Sequence, residues 1–321
     1  MTTTQTLTAR GPEDLLGAVP FLLGFHPSDS LVVAVLESSR VSCVARLDLA
    51  DASSPGVAPQ LLAPFLGQVG PDARLAIVGY GDDAVVVPEV VARVAEELPV
   101  PHMARIAVSG GRWWHVDCPE EADLYDPSSS RIAAEAAYNG ISARPDRKDI
   151  ERLFDRPPRT RQLSIGTLRA AVRRLDRLSP AAAQRRLAGV LDRQLEAGAV
   201  SLTARECADL LLLLDVAGAR DAFWVRLNRQ TGALLTDLWL YVARRCPMEL
   251  SLGPVAAAGL SAWQGGTGAL VTIALERGDR LGGWHPLHEL LASIHAQALP
   301  PDALKEVVAL LLEQEGDAGA D

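Results

Sequence analysis

Lysine is nearly absent from this chain: of its 31 basic residues only Lys148 and Lys305 are lysines. Alanine is abundant, and the pair of biases reads first as the coding preference of a high-GC genome, so arginine content by itself says little about phosphate binding. Cysteine is scarce too. Cys43, Cys118, Cys207 and Cys246 lie far apart with no CxxC pairing, which argues against a disulfide framework and for reduced thiols. No apolar run reaches the roughly 18 to 20 residues that cross a bilayer. The opening MTTTQTLTARGPEDLL lacks a basic segment followed by an apolar core, so no secretory leader is expected and the cytoplasm is the expected address. Neither a phosphate loop nor an HExxH metalloprotease pair is present.

What remains is a globular composition, 48% hydrophobic and 22% charged over 321 residues, long enough for about two domains. The formal net charge of -9 is unevenly spread. Residues 1–130 hold 7 arginines against 17 carboxylates, residues 131–200 hold 15 cations against 8, and residues 201–321 hold 9 against 15. A basic centre between acidic flanks can meet nucleic acid, or it can dock against carboxylates of its own chain. The second reading is preferred for Arg144 to Arg193, because only Phe154 is aromatic there and base stacking needs interleaved rings.

Along the chain, residues 1–11 show no periodicity and read as a frayed tail. A helix then opens at Glu13 and Asp14, with Leu15, Leu16, Val19, Leu22 and Leu23 at helical spacing and Gly24 placed to end it. Leu31 to Leu36 is a continuous valine-rich run, the pattern of a strand buried on both faces, and Val41 to Leu49 completes a hairpin with it. Leu61, Leu62, Phe65, Leu66 and Val69 suggest one helical face. Ala73 to Tyr80 is a third strand running into Gly81-Asp82-Asp83, and Val86, Val90, Val94 and Leu98 follow at helical spacing. Ala104 to Val108 and Trp113 to Val116 flank Ser109-Gly110-Gly111-Arg112, a second hairpin signal. Strands alternating with helices predict an α/β domain over residues 1–130, a mixed sheet with flanking helices.

From about Ser130 the pattern changes. Residues 131–160 read as a charged linker with a helix at Ala133 to Ala137, and residues 161–321 carry helical period alone. Leu168, Val172 and Leu175 are expected as a buried stripe with Arg169, Arg173, Arg174 and Arg177 off it. Further helices are expected around 222–228, 233–245, 253–263, 268–277, 286–298 and 302–315. Small residues, Ala256 to Gly259 and then Gly266, Gly268 and Ala269, mark close helix approaches, so the C-terminal half looks like helix pairs of tetratricopeptide type, an all-α, helical-repeat-like domain suited to binding a protein partner.

Several residues could carry chemistry. In GFHPSDS, His26 is a potential acid or base, Asp29 could orient it, and Ser28 or Ser30 could act as nucleophile with a base in reach. The alternative is that Ser28 and Asp29 only shape the turn. Asp82 and Asp83 follow a strand, where α/β proteins place ligands, yet capping the next helix explains them more simply than Mg²⁺. His115 and Cys118 supply two of four zinc ligands and no second pair accompanies them. His285, His288 and His295 do not form a metalloprotease pattern. Trp263, Trp284 and His285 are the residues expected at an interaction surface.

The segments LLGAVPFLLGFHPSDSLVV, VGYGDD, GRWWHVDC and PVAAAGLSAWQGGTGALVTIALER, in that order, resemble the uncharacterised actinobacterial family catalogued as domain of unknown function 4192. The resemblance spans nearly the whole chain. It implies an actinobacterial cytoplasmic protein and no particular reaction. It also implies further cysteines just after the GRW segment, where this chain has only Cys118 before Pro119-Glu120-Glu121, so a thiol or metal role there does not carry over. The reading preferred on these grounds is a non-catalytic interaction or scaffold protein with no cofactor, self-association remaining open. The alternative is a small-molecule hydrolase or transferase using His26 and Asp29 with Asp82 or Asp83.

Overall fold

The computed structural model describes residues 11–37, 40–139 and 141–304, together with Glu306 and Val308. Residues 1–10 of the stretch expected to fray, Ser38 and Ser39, and most of the helix expected over 302–315 lie outside the described residues. The chain forms two compact units, Met1–Asp149 and Ile150–Asp321. The expected combination of a mixed α/β half and a helical half is what the protein adopts.

The first unit is built on a six-stranded sheet. Its strands are β1 (Ser30–Glu37), β2 (Arg40–Asp48), β3 (Arg74–Tyr80), β4 (His102–Ser109), β5 (Arg112–His115) and β6 (Asp123–Leu124), in the order β2-β1-β3-β4-β5-β6. All neighbours are antiparallel except β3 and β4, which run parallel. Strand β1 is an interior strand, between β2 and β3, and is buried from Ser30 to Leu36, as its unbroken apolar run requires. The helices of this unit are α1 (Pro12–Leu23), α2 (Leu49–Ala52), α3 (Val57–Leu66), α4 (Val86–Glu97) and α5 (Arg131–Tyr138), with α6 (Arg147–Glu151) at its end. Leu31, Val33 and Val35 of β1 join Leu75 and Ile77 of β3 in one core with Leu62, Val91 and Val94.

Two sequence-predicted faces need correction. Leu61 is exposed, and α3 buries Ala58, Leu62 and Leu66 instead. In α4 the buried line begins at Val87 and Val86 is exposed, because Val87, Val90, Val91 and Val94 share the face turned to the sheet.

The second unit contains α7 (Ile165–Leu175), α8 (Pro180–Ala197), α9 (Ala204–Leu213), α10 (Ala217–Arg226), α11 (Gly232–Arg245), α12 (Leu252–Gly265), α13 (Gly268–Leu281) and α14 (Pro286–Ala296). Sequential neighbours pack together from α11 to α14, and next-but-one neighbours meet at α7 with α9, α8 with α10, and α12 with α14. Helix α12 is buried from Leu252 to Gln264. Its small residues permit this: a Cβ at Gly259 would overlap Leu291 Cδ2 and come within 2.9 Å of the Ala274 methyl. Of the stripe expected on α7, Leu168 and Leu175 are half-buried and Val172 departs from it. Ala171 is buried and Val172 is exposed, since Val172 turns beside Arg169 and Arg173 on the outer side.

Candidate functional site

Antiparallel pairing of β1 with β3 sets Ser30 opposite Tyr80, so the loop entering β1 and the turn leaving β3 come to one edge of the sheet. There the first candidate residues meet. Asp29 has a left-handed backbone (φ 43), a conformation Asp tolerates better than most side chains, and its carbonyl accepts the Leu49 N–H at 2.9 Å. A Cβ placed on Gly81 would lie 3.7 Å from Asp29 Oδ1, which measures how closely the Asp29 carboxylate approaches the Gly81-Asp82-Asp83 turn. Asp29, Asp82 and Asp83 are all exposed there.

The separate tasks of these residues are clear. Asp83 Oδ1 accepts the N–H groups of Val86 at 3.0 Å and Val85 at 2.8 Å, and these two bonds hold its carboxyl below the ordinary value. It caps α4. The Asp82 carbonyl accepts the Ser109 hydroxyl at 3.0 Å, tying the ends of β3 and β4. The buried Ser30 hydroxyl donates to the Ser28 carbonyl at 2.6 Å and accepts from Arg46 Nε at 2.8 Å, so its proton is committed to a carbonyl and no base activates it. Ser28 is exposed. His26 is half-buried, anchored by its backbone N–H to the Arg144 carbonyl at 2.9 Å, and burial pushes its pKa below 6.5, which keeps the ring neutral at neutral pH.

His115 lies on β5 with its ring edge-on to Trp113 at 5.8 Å, and its carbonyl accepts the Cys118 N–H at 2.9 Å. Burial and the carboxylates of Glu120, Glu121 and Asp117 raise the Cys118 thiol. Among the described residues no three His, Cys, Asp or Glu side chains converge as a metal site. Trp114 lines an open depression of about 360 Å³ with Ala84, Pro88, Arg112, Val116 and Ala122.

The interaction candidates separate. Trp263 is 7% exposed and donates its indole N–H to the Leu299 carbonyl at 2.8 Å, so it belongs to the packed interior. Trp284 is 74% exposed. It follows Gly282 (φ 69) and Gly283 (φ 84), whose left-handed backbones turn the chain between α13 and α14. His285 fixes this loop from below. Its Nδ1 accepts the Leu287 N–H at 3.1 Å, capping α14, and its Nε2 pairs with Asp215 Oδ1 at 3.0 Å. A Cβ on Gly253 would lie 2.6 Å from that Nε2, so the ring sits against the start of α12.

Three segments therefore meet at the ring of His285, the residue after Trp284: the α9–α10 turn through Asp215, the start of α12 through Gly253, which follows the short helical turn Met248–Leu250, and the α13–α14 loop itself. Each exposes apolar surface, at Val216, Met248, Leu250 and Trp284. The sequence drew attention to Trp284 and His285 and missed the others, since isolated Val, Met and Leu in a helical region read as core. The only available signal was Pro247, which stops α11 and forces the following residues out of the helix.

Basic side chains of 144–193 are partly consumed within their own unit. Arg174 and Arg186 both pair with the fully buried Asp209, and Arg193 pairs with Glu206 at 2.6 Å.

Fold and sites together define a two-part protein: an α/β unit with polar loops at one sheet edge, and a helical unit with an exposed tryptophan between α13 and α14. The family model described as Domain of unknown function (DUF4192) matches residues 12–302, and the chain belongs to that family. No curated protein and no solved structure matches it. No helix among the described residues is long and apolar enough to cross a membrane.

Proposed function

We propose that this is a non-catalytic cytoplasmic interaction protein whose helical unit binds a protein partner at the Trp284 cluster. The observation that supports this is a tryptophan 74% exposed on a loop whose neighbouring residue, His285, is buried and bonded on both ring nitrogens. Tryptophans held rigidly in the open are favoured anchors of protein interfaces. Val216, Met248 and Leu250, exposed in or beside the segments that reach the His285 ring, would add apolar contact area. Arginine-rich, lysine-poor composition supports an actinobacterial source. The test is affinity capture from the source cell with wild-type protein and a Trp284→Ala variant, followed by titration of whatever is identified. Binding that survives Trp284→Ala unchanged would exclude this surface.

A second reading draws on the meeting of Asp29 with the Gly81-Asp82-Asp83 turn. It would make the sheet edge a small-molecule site, with Asp29 and Asp82 as the exposed carboxylates and His26 as a neutral base. Turnover in a metabolite screen that vanishes in both His26→Ala and Asp29→Ala would establish it and displace the first reading.

A further inference from the structure

The arginines around α7 fall into two sets. Arg174 turns inward to Asp209, whereas Arg169, Arg173 and Arg177 are exposed and form no ion pair among the described residues. Spacing of four sets Arg169 and Arg173 on one side of α7, about 6 Å apart, and Arg177 lies in the turn just past its end. Ile165, one turn before Arg169, is 67% exposed, and Val172, three residues after it, is 42% exposed. On its other side α7 buries Ala171 and packs against α9. The outer surface thus carries the guanidinium groups of Arg169 and Arg173, in no ion pair among the described residues, flanked by the β-branched side chains of Ile165 and Val172.

Ordinary solvation accounts for exposed arginines on a surface helix, and the helix dipole favours cations in the last turn, where Arg173 sits. Neither effect accounts for Arg169 together with uncovered Ile165 and Val172. We propose that the outer face of α7 docks an acidic amphipathic helix of a partner protein. Carboxylates one turn apart on such a helix match the arginine spacing and can bond guanidinium groups in pairs, while apolar residues on the same face cover Ile165 and Val172. Nucleic acid fits less well: phosphates would match the arginines, but this face carries no aromatic ring for a base to stack on, and its β-branched residues would go unused. The inference extends the partner-binding reading to a second surface and is tested by different variants.

A random peptide display library panned on the full-length protein provides the probe, and selected peptides are then titrated by fluorescence anisotropy. Enriched peptides are expected to carry Asp or Glu at four-residue spacing with apolar residues between. Their Kd should rise at least about tenfold, roughly 1.4 kcal/mol, in Arg169→Glu/Arg173→Glu. It should rise severalfold in Ile165→Ser/Val172→Ser and stay unchanged in Trp284→Ala. Salt near 1 M, where the Debye length is about 3 Å, should weaken binding. The proposal is overturned if no peptide emerges that depends on Arg169 and Arg173, if the enriched peptides lack acidic residues, or if single-stranded DNA binds more tightly with the same variant dependence. Peptides lost only in Trp284→Ala would overturn it as well, and would leave the Trp284 reading standing.

Discussion

His285 donates from Nε2 to Asp215 Oδ1 at 3.0 Å, and through this ring the α9–α10 turn is tied to the first turn of α14. The donor is assigned by the other nitrogen, since Nδ1 accepts the Leu287 N–H and cannot carry the proton. His285→Ala removes both bonds, and the loss of a helix cap together with a half-buried hydrogen bond should cost about 1–3 kcal/mol in thermal or urea unfolding. Asp215 is more than half exposed, so Asp215→Ala should cost under about 1 kcal/mol. Equal losses in the two variants would mean that the hydrogen bond to Asp215, not the cap, holds the loop.

Asp209 has no exposed surface and receives both Arg174 and Arg186, the latter through Nε at 2.8 Å and Nη2 at 2.6 Å. Removing one partner of a buried pair is costly because the remaining charges lose their compensation. The two guanidinium groups retain about a third of their exposure, so the loss in Asp209→Ala should fall at the lower end of the usual range, about 3 kcal/mol. Urea unfolding measures it. A loss below about 1 kcal/mol would show that Arg174 and Arg186 reach water once released.

Gly259, inside α12, and Gly268, at the start of α13, should respond to an added methyl in opposite ways. A methyl at Gly259 meets Leu291 and Ala274, and Gly259→Ala should destabilise by about 1–3 kcal/mol through overpacking. Gly268 has open space where its Cβ would stand and a φ outside the left-handed region, so Gly268→Ala should be neutral or stabilise by about 0.4–1 kcal/mol. If Gly259→Ala were tolerated equally, α12 and α14 would not be in the tight contact described here.

Local features of this fold were legible in the sequence because they are set by nearest neighbours. The unbroken run Leu31–Leu36 is a buried interior strand, Gly24 ends α1 with a left-handed backbone, and Asp83 caps α4 as its place before Val85 and Val86 suggested. What depends on distant partners was not legible. Nothing in the neighbourhood of Trp263 or Trp284 states that one indole will find the Leu299 carbonyl 36 residues on and the other will face solvent. Spacing alone places Val172 in the interior, yet it is exposed while Arg174, two residues on, turns to Asp209, a contact 35 residues away. At the sheet edge the residue types were visible, but only the antiparallel pairing of β1 with β3 brings Asp29 to Gly81.

The thiols offer a test that separates interior from surface. Burial pushes both Cys207 and Cys246 from 9.0 up to about 12, whereas Cys43 is exposed and Cys118 partly so. Alkylation with iodoacetamide near neutral pH should therefore modify Cys43 and Cys118 in the native protein, and Cys207 and Cys246 only after unfolding, as read by mass spectrometry. The same burial sets a pH dependence. Below 9.0 native and unfolded thiols are both protonated and the contribution is fully present. Between 9.0 and about 12 the unfolded state has released protons that the native state still holds, so stability must fall as pH rises. Tyr125, raised from 10.0 to about 12, acts in the same direction over the upper part of that window. A Cys207→Ala/Cys246→Ala variant should flatten the decline between 9.0 and 10.0 while leaving the Tyr125 portion in place. Rapid native-state alkylation of Cys207, or an unchanged pH slope in the double variant, would refute the burial that α9 and α11 impose on these two side chains.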